Sequence, residues 1–208
     1  MKMKLIAILA ATLAISGCGA EIAAMHGIAI IQPTDFTKVY EATKVSSDAH
    51  TGSTTVEGPT IFHDNHLLKN TYAVRSWINK NNSLLNDRFQ VYVVGNFNEW
   101  AFLNQAYSNG QMLDTTLISR KVGHCSSSGC SVSETVGVNL SRERVKELAG
   151  TGLSFKIAGQ RGDVTMLIPA TYFGAIQKRH EEARGTPNEA VVPTTGKIQG
   201  DFPTAPRS

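Results

Sequence analysis

The sequence predicts a β-rich α+β fold, an antiparallel β-sandwich or strongly bent sheet with two or three short helices at its edges. Three observations lead there. Six runs between residues 71 and 168 alternate apolar and polar residues or are rich in β-branched and aromatic ones. Several are separated by segments that suit tight reversals, Asn109-Gly110, Cys125 to Cys130 and Gly159 to Asp163. Helical signals are confined to three short windows.

In chain order, Thr71 to Ile78 places Tyr72, Val74, Ser76 and Ile78 on one face of a strand and Ala73, Arg75 and Trp77 on the other. Phe89 to Val94 alternates and then becomes apolar. Asn98 suits a cap for a helix over Glu99 to Ser108, with Trp100, Leu103 and Tyr107 on one side and Gly110 as the stop. Met112 to Val122 and Val132 to Leu140 read as strands flanking a Gly/Ser-rich loop. Ser141 caps a predicted helix over Arg142 to Ala149, closed by Gly150. Leu153 to Ala158 and Val164 to Ile168 are the last strands. A helix over Tyr172 to Arg184 follows Pro169, with Tyr172, Phe173 and Ile176 packing inward and Lys178 to Glu182 in water.

The N-terminus sets the address. Lys2 and Lys4 precede an apolar run, Leu5 to Ile15, which is too short for a stable spanning helix and is followed by small residues and Cys18. This is the pattern of a secretory signal. Ile15-Ser16-Gly17-Cys18 resembles the lipobox of bacterial lipoproteins. The resemblance implies that Cys18 carries a diacylglycerol, becomes the first mature residue and is usually acylated on its amine, for instance with palmitate. Two or three acyl chains, at about 0.8 kcal/mol per buried methylene, make such an anchor effectively permanent. Gly19 stands where the sorting rule of enteric lipoproteins needs Asp for inner-membrane retention, so the resemblance implies the outer membrane, facing the periplasm. The organisation expected is a signal peptide over 1–17, the lipidated Cys and a tether over 18–35, one β-rich domain over 36–184, and a disordered tail over 185–208. That tail holds four of the seven prolines, at 187, 193, 203 and 206.

Charge and composition narrow the function. The whole chain has 20 basic and 17 acidic side chains, and removing Lys2 and Lys4 leaves 18 against 17. Without a basic stripe interleaved with aromatics, nothing points to nucleic acid. A hydrophobic fraction of 41% suits a globular domain. Cys125 and Cys130 are separated by four residues in GHCSSSGCS, and in an oxidising compartment they read as a disulfide closing a hairpin, in preference to a redox pair or a metal site with His124.

The recognised catalytic motifs are absent, so no catalytic residue and no cofactor is expected. Four features carry a bland and a sharper reading. His63-Asp64-Asn65-His66 reads as a solvated loop, with His63 and His66 as weak metal candidates. Arg161-Gly162-Asp163 reads as a hairpin turn before an adhesive tripeptide. Trp77 and Trp100, with Phe97 and Tyr107 near the second, read as core aromatics before a ligand slot or partner surface. Lys178 to Glu182 reads as a solvated helix face before a contact for anionic lipid. The functional expectation is a membrane-tethered, non-catalytic binding or assembly module with an envelope protein partner. Its alternatives are a small-ligand or lipid binder and a hydrolase using His63, His66 or His124 as base.

Overall fold

The structure, a computed structural model, describes residues 31–63, 70–79, 87–127 and 129–185. The segment read as a signal peptide, Cys18, His66 and the residues beyond 185 lie outside the described residues. The elements are α1 (Phe36–Ala42), β1 (Lys44–Asp48), β2 (Ser53–Glu57), β3 (Ile61–Phe62), β4 (Thr71–Asn79), β5 (Arg88–Phe97), β6 (Gln105–Ser108), β7 (Gln111–Leu113), β8 (Thr115–Ser126), β9 (Gly129–Leu140), α2 (Arg142–Thr151), β10 (Leu153–Ala158), β11 (Asp163–Ile168) and α3 (Ala170–Gly185). They form two antiparallel sheets and three helices, the β-rich α+β architecture expected. The large sheet runs β1-β2-β4-β5-β9-β8, with β3 also paired to β4, and the small one runs β11-β10-β6-β7.

The alternation read in β4, β5 and β9 sets the core. Tyr72, Val74 and Ile78, Phe89, Val91 and Val93, and Val136 and Val138 all point inward and are buried. Phe155, Ile157, Val164 and Met166 of the small sheet and Tyr172, Phe173 and Ile176 of α3 complete the interior. Together they hold one layer of helices and small sheet against a single face of the large sheet. Burying a side chain of this size stabilises by about 1.5–3 kcal/mol, so α3 is held chiefly by its aromatic first two turns. Tyr172 adds polar anchoring: its hydroxyl donates to the Pro59 carbonyl (2.7 Å) and accepts from the Val74 N–H (3.4 Å).

The helix over Arg142–Thr151 has its expected cap, the Ser141 hydroxyl accepting from the Arg144 N–H at 3.1 Å. The hairpin turn at Asn109-Gly110 is equally direct. Both residues have positive φ, 50° and 76°, the conformation that matches strand twist in a two-residue hairpin. Cys125 and Cys130 are register partners at the end of the β8–β9 hairpin and are joined by a disulfide. The Arg161-Gly162-Asp163 segment is a turn, with Gly159 N–H donating to Gly162 O and Arg161 N–H to Ala101 O.

Several expectations are corrected. No helix occupies Glu99 to Ser108: residues 98–104 are irregular and Gln105–Ser108 is β6. The reason is tertiary. The fully buried carboxylate of Glu134 accepts from the N–H groups of Phe102 and Leu103, both at 2.8 Å, and pairs with Arg120 at 3.1 Å. Phe102 meanwhile adopts φ 56°, outside any right-handed helix. Met112 to Val122 is two strands, because β7 pairs with β6 in the small sheet and the chain crosses at Asp114 to join β9 in the large one. Lys178 to Glu182 is not a uniformly solvated face, since His180 is fully buried. Ile31, Pro33 and Asp35, read as tether, already touch the domain: Ile31 packs on the core, Pro33 O accepts from Thr171 and Asp35 caps α1.

Glu134 leads to a test. Replacing it with Ala strands two backbone donors and takes the carboxylate partner from Arg120, and should cost about 3 kcal/mol, read as a lower urea midpoint. A loss below about 0.5 kcal/mol, the range of ordinary surface substitutions, would show that the 98–104 segment is held by other means.

Candidate functional site

The face of the large sheet turned away from the helices carries the residues that the core does not use. Register brings them into rows. Trp77 of β4 lies opposite Arg88 of β5 and Thr55 of β2, Arg75 lies opposite Gln90, and Gln90 lies opposite Asn139 of β9. Where β4, β5, β8 and β9 meet, this face forms an open groove of about 1170 Å³ lined by Trp77, Arg88, Gln90, Asp114, Thr116 and Asn139, among others.

The groove's polar side chains are tied into a chain. Gln90 Nε2 donates to Asn139 Oδ1 at 2.8 Å, and Asn139 Nδ2 donates to Asp114 Oδ2 at 3.0 Å and to Thr116 Oγ1 at 3.1 Å. This chain lies flat because of Gly137, where a Cβ would collide with the Gln90 amide. In the same row Arg75 pairs with Glu57 at 2.8 Å and stacks over Tyr92 of the next row, 4.3 Å from the ring centroid, which fixes that boundary. Among the described residues, the Trp77 indole N–H and the Arg88 guanidinium have no hydrogen-bond or ion-pair partner.

Directly beneath this face is a second constellation. Ser76 Oγ lies 2.8 Å from His180 Nδ1, His180 Nε2 lies 3.0 Å from Asp87 Oδ2, and Asp87 Oδ1 accepts from Arg184 at 2.6 Å. With a neutral imidazole, one arrangement satisfies every atom: Nε2–H donates to Asp87 and the Ser76 hydroxyl donates to Nδ1. Burial favours that neutral form, holding the His180 pKa below its ordinary value against the opposing pull of Asp87. Arg184 supplies the positive partner that the Asp87 carboxylate requires. The residue types are those of a hydrolytic triad, but Ser76 and His180 are fully buried and the imidazole is packed by Phe89, 4.5 Å between centroids. A substrate carbonyl has no route to Ser76 Oγ, so the arrangement is a structural relay joining α3 to β4 and to the start of β5.

The residues singled out in the sequence are dispersed. Trp77 lines the groove, whereas Trp100 sits half-buried in the connection after β5 and Tyr107 projects from β6 in the small sheet, its hydroxyl donating to Gln105. Neither Trp77 nor Trp100 belongs to the core, which uses Tyr72, Phe89, Phe155, Tyr172 and Phe173 instead. His63 follows β3, its N–H donating to Asn70 O, and His124 is exposed on β8. Among the described residues no three His, Cys, Asp or Glu side chains are placed to share a metal ion. Gln90, Asn139, Asp114 and Thr116 had no local signal, because only the pairing of three strands brings them together. His180 could have been suspected from a lone imidazole one helical turn beyond Ile176, at the inward spacing of α3.

Compared with known protein families, curated proteins and solved structures, the chain matches none.

The relay has a pH signature. Because burial holds the His180 imidazole below the ordinary 6.5, the unfolded chain binds a proton that the folded protein refuses. Stability is therefore full above about pH 6.5 and falls as pH drops through and below that value. Urea midpoints measured between about pH 7.5 and 5.5 should decline for the native chain, and His180→Gln, although less stable throughout, should lack that part of the slope. Parallel curves for the two proteins would place the imidazole in water.

Proposed function

We propose that this chain is a bacterial envelope lipoprotein, anchored through Cys18 in the outer membrane and facing the periplasm, whose folded domain is a non-catalytic binding module. The observation that carries the second half is the outer face of the large sheet. Polar and aromatic side chains there are pre-ordered around an open groove while the opposite face is sealed by helices and the small sheet. Pre-ordering lowers the entropy cost of binding, and a half-buried aromatic lining a groove beside ordered polar groups suits specific recognition. The first half is supported by the resemblance of Ile15-Ser16-Gly17-Cys18 to a lipobox. A ligand-binding role also points to this groove, since buried side chains fill the space between the sheets.

The anchor is tested by metabolic labelling with a palmitate analogue. The native chain should incorporate the label and fractionate with membranes, and Cys18→Ser should do neither; an unlabelled native chain contradicts the anchor. The binding face is tested by photo-crosslinking in cells from Thr116 and Ser53, which line the groove, against Lys146 on the exposed side of α2. A discrete envelope partner should be captured from the groove positions and lost in the Cys18→Ser form. Capture from Lys146 alone would move the binding surface to the helical side.

A further inference from the structure

Resting on the reading of the outer groove as the binding surface, we propose that the groove is a glycan site that takes an uncharged oligosaccharide, with one sugar ring stacked on Trp77. Three features of the groove lead to this ligand class.

The first is the state of Trp77. It is half-buried, lines the groove, and no described residue stacks on it or accepts from its indole N–H. A half-buried indole that lines the groove and has no stacking partner among the described residues suits the axial C–H face of a pyranose, an apolar surface rimmed by hydroxyls. The second is the pattern of unused hydrogen-bonding capacity. The internal bonds consume both Asn139 donors and one Gln90 donor, and leave Gln90 Oε1 and Asp114 Oδ1 as acceptors and the Thr116 hydroxyl and Arg88 as donors. Each sugar hydroxyl both donates and accepts, so a lining that offers both acceptors and donors suits it. A run of donors alone would suit an anion instead. The third is charge. Arg88 is offset by Asp114, and the Asp87 carboxylate at the groove's end is already matched by Arg184. The lining thus selects against ligands of strong net charge.

Size allows a ligand longer than a single sugar ring. A volume of about 1170 Å³ is at or above the upper end of ordinary small-molecule sites, so the groove accommodates several linked sugar rings.

The experiment uses the full mature chain in detergent with Trp100→Phe, which leaves Trp77 as the sole reporter of the two tryptophans. Chitotetraose and cellotetraose are titrated while indole emission is followed, with inorganic phosphate and spermine as charged probes. At least one oligosaccharide should shift the emission saturably, and the charged probes should not. Trp77→Ala should abolish binding measured by calorimetry. Gln90→Ala should weaken it about tenfold, the worth of about one hydrogen bond, with the far-ultraviolet spectrum unchanged. No response to either sugar up to about 10 mM, in protein whose spectrum shows it folded, overturns the glycan assignment, as does a saturable response to phosphate or spermine alone. Crosslinking from Thr116 separates the two levels. Capture of a protein partner without sugar binding leaves the binding module and removes the glycan, whereas failure of both removes both.

Discussion

The buried relay of Ser76, His180, Asp87 and Arg184 is the constraint on which the working face depends. It joins the last turns of α3 to the two strands that carry Trp77 and Arg88, and it does so one residue from each of them. Because side chains alternate along a strand, fixing Ser76 on the inner face fixes the direction in which Trp77 leaves the outer one, and Asp87 does the same for Arg88. The apolar first half of α3 supplies most of the adhesion. The relay supplies register: a shift of the helix by one turn would leave an imidazole and a carboxylate buried without partners, at a cost of several kcal/mol.

Glu134 plays a comparable part at the other end of the molecule. Its carboxylate holds the N–H groups of Phe102 and Leu103 and the guanidinium of Arg120, so β9, β8 and the passage from the large sheet to the small one meet at a single buried charge. Two such polar nodes, one under each end of the large sheet, leave its centre to be held chiefly by apolar packing, with the Tyr172 hydroxyl as its polar contact. The outer face can then carry Arg75, Gln90, Asn139 and Tyr92 without any of them being needed to seal the core. That division between a sealed inner face and a pre-ordered outer one is the physical basis for reading the domain as a binding module.

The legible parts of the fold were those whose signal is local. The strands from Thr71, Phe89, Val132, Leu153 and Val164 announce themselves by alternation, and the Ser141 cap and the Asn109-Gly110 turn by residue type. The 99–108 segment misled because Trp100, Leu103 and Tyr107 fit helical spacing over barely three turns, while Glu134, some thirty residues away, takes the backbone donors such a helix would use. The β1–β2 hairpin was silent because Lys44–Asp48 is exposed along its whole length and so carries no hydrophobic pattern. At the site, Trp77 was visible as a residue worth weighing. Its neighbours were not, since Gln90, Asn139 and Thr116 are ordinary polar residues until strand pairing places them side by side.

The most direct test of this account is amide hydrogen exchange on the native chain and on His180→Gln. If the relay holds the platform, the variant should lose protection at the amides around Ser76 to Ile78 and Arg88 to Gln90 and in the last turns of α3, with the β10–β11 hairpin unchanged. Protection lost evenly over the whole domain, or retained at Trp77 and Arg88, would contradict it, and the groove would then owe its order to the strand pairing alone.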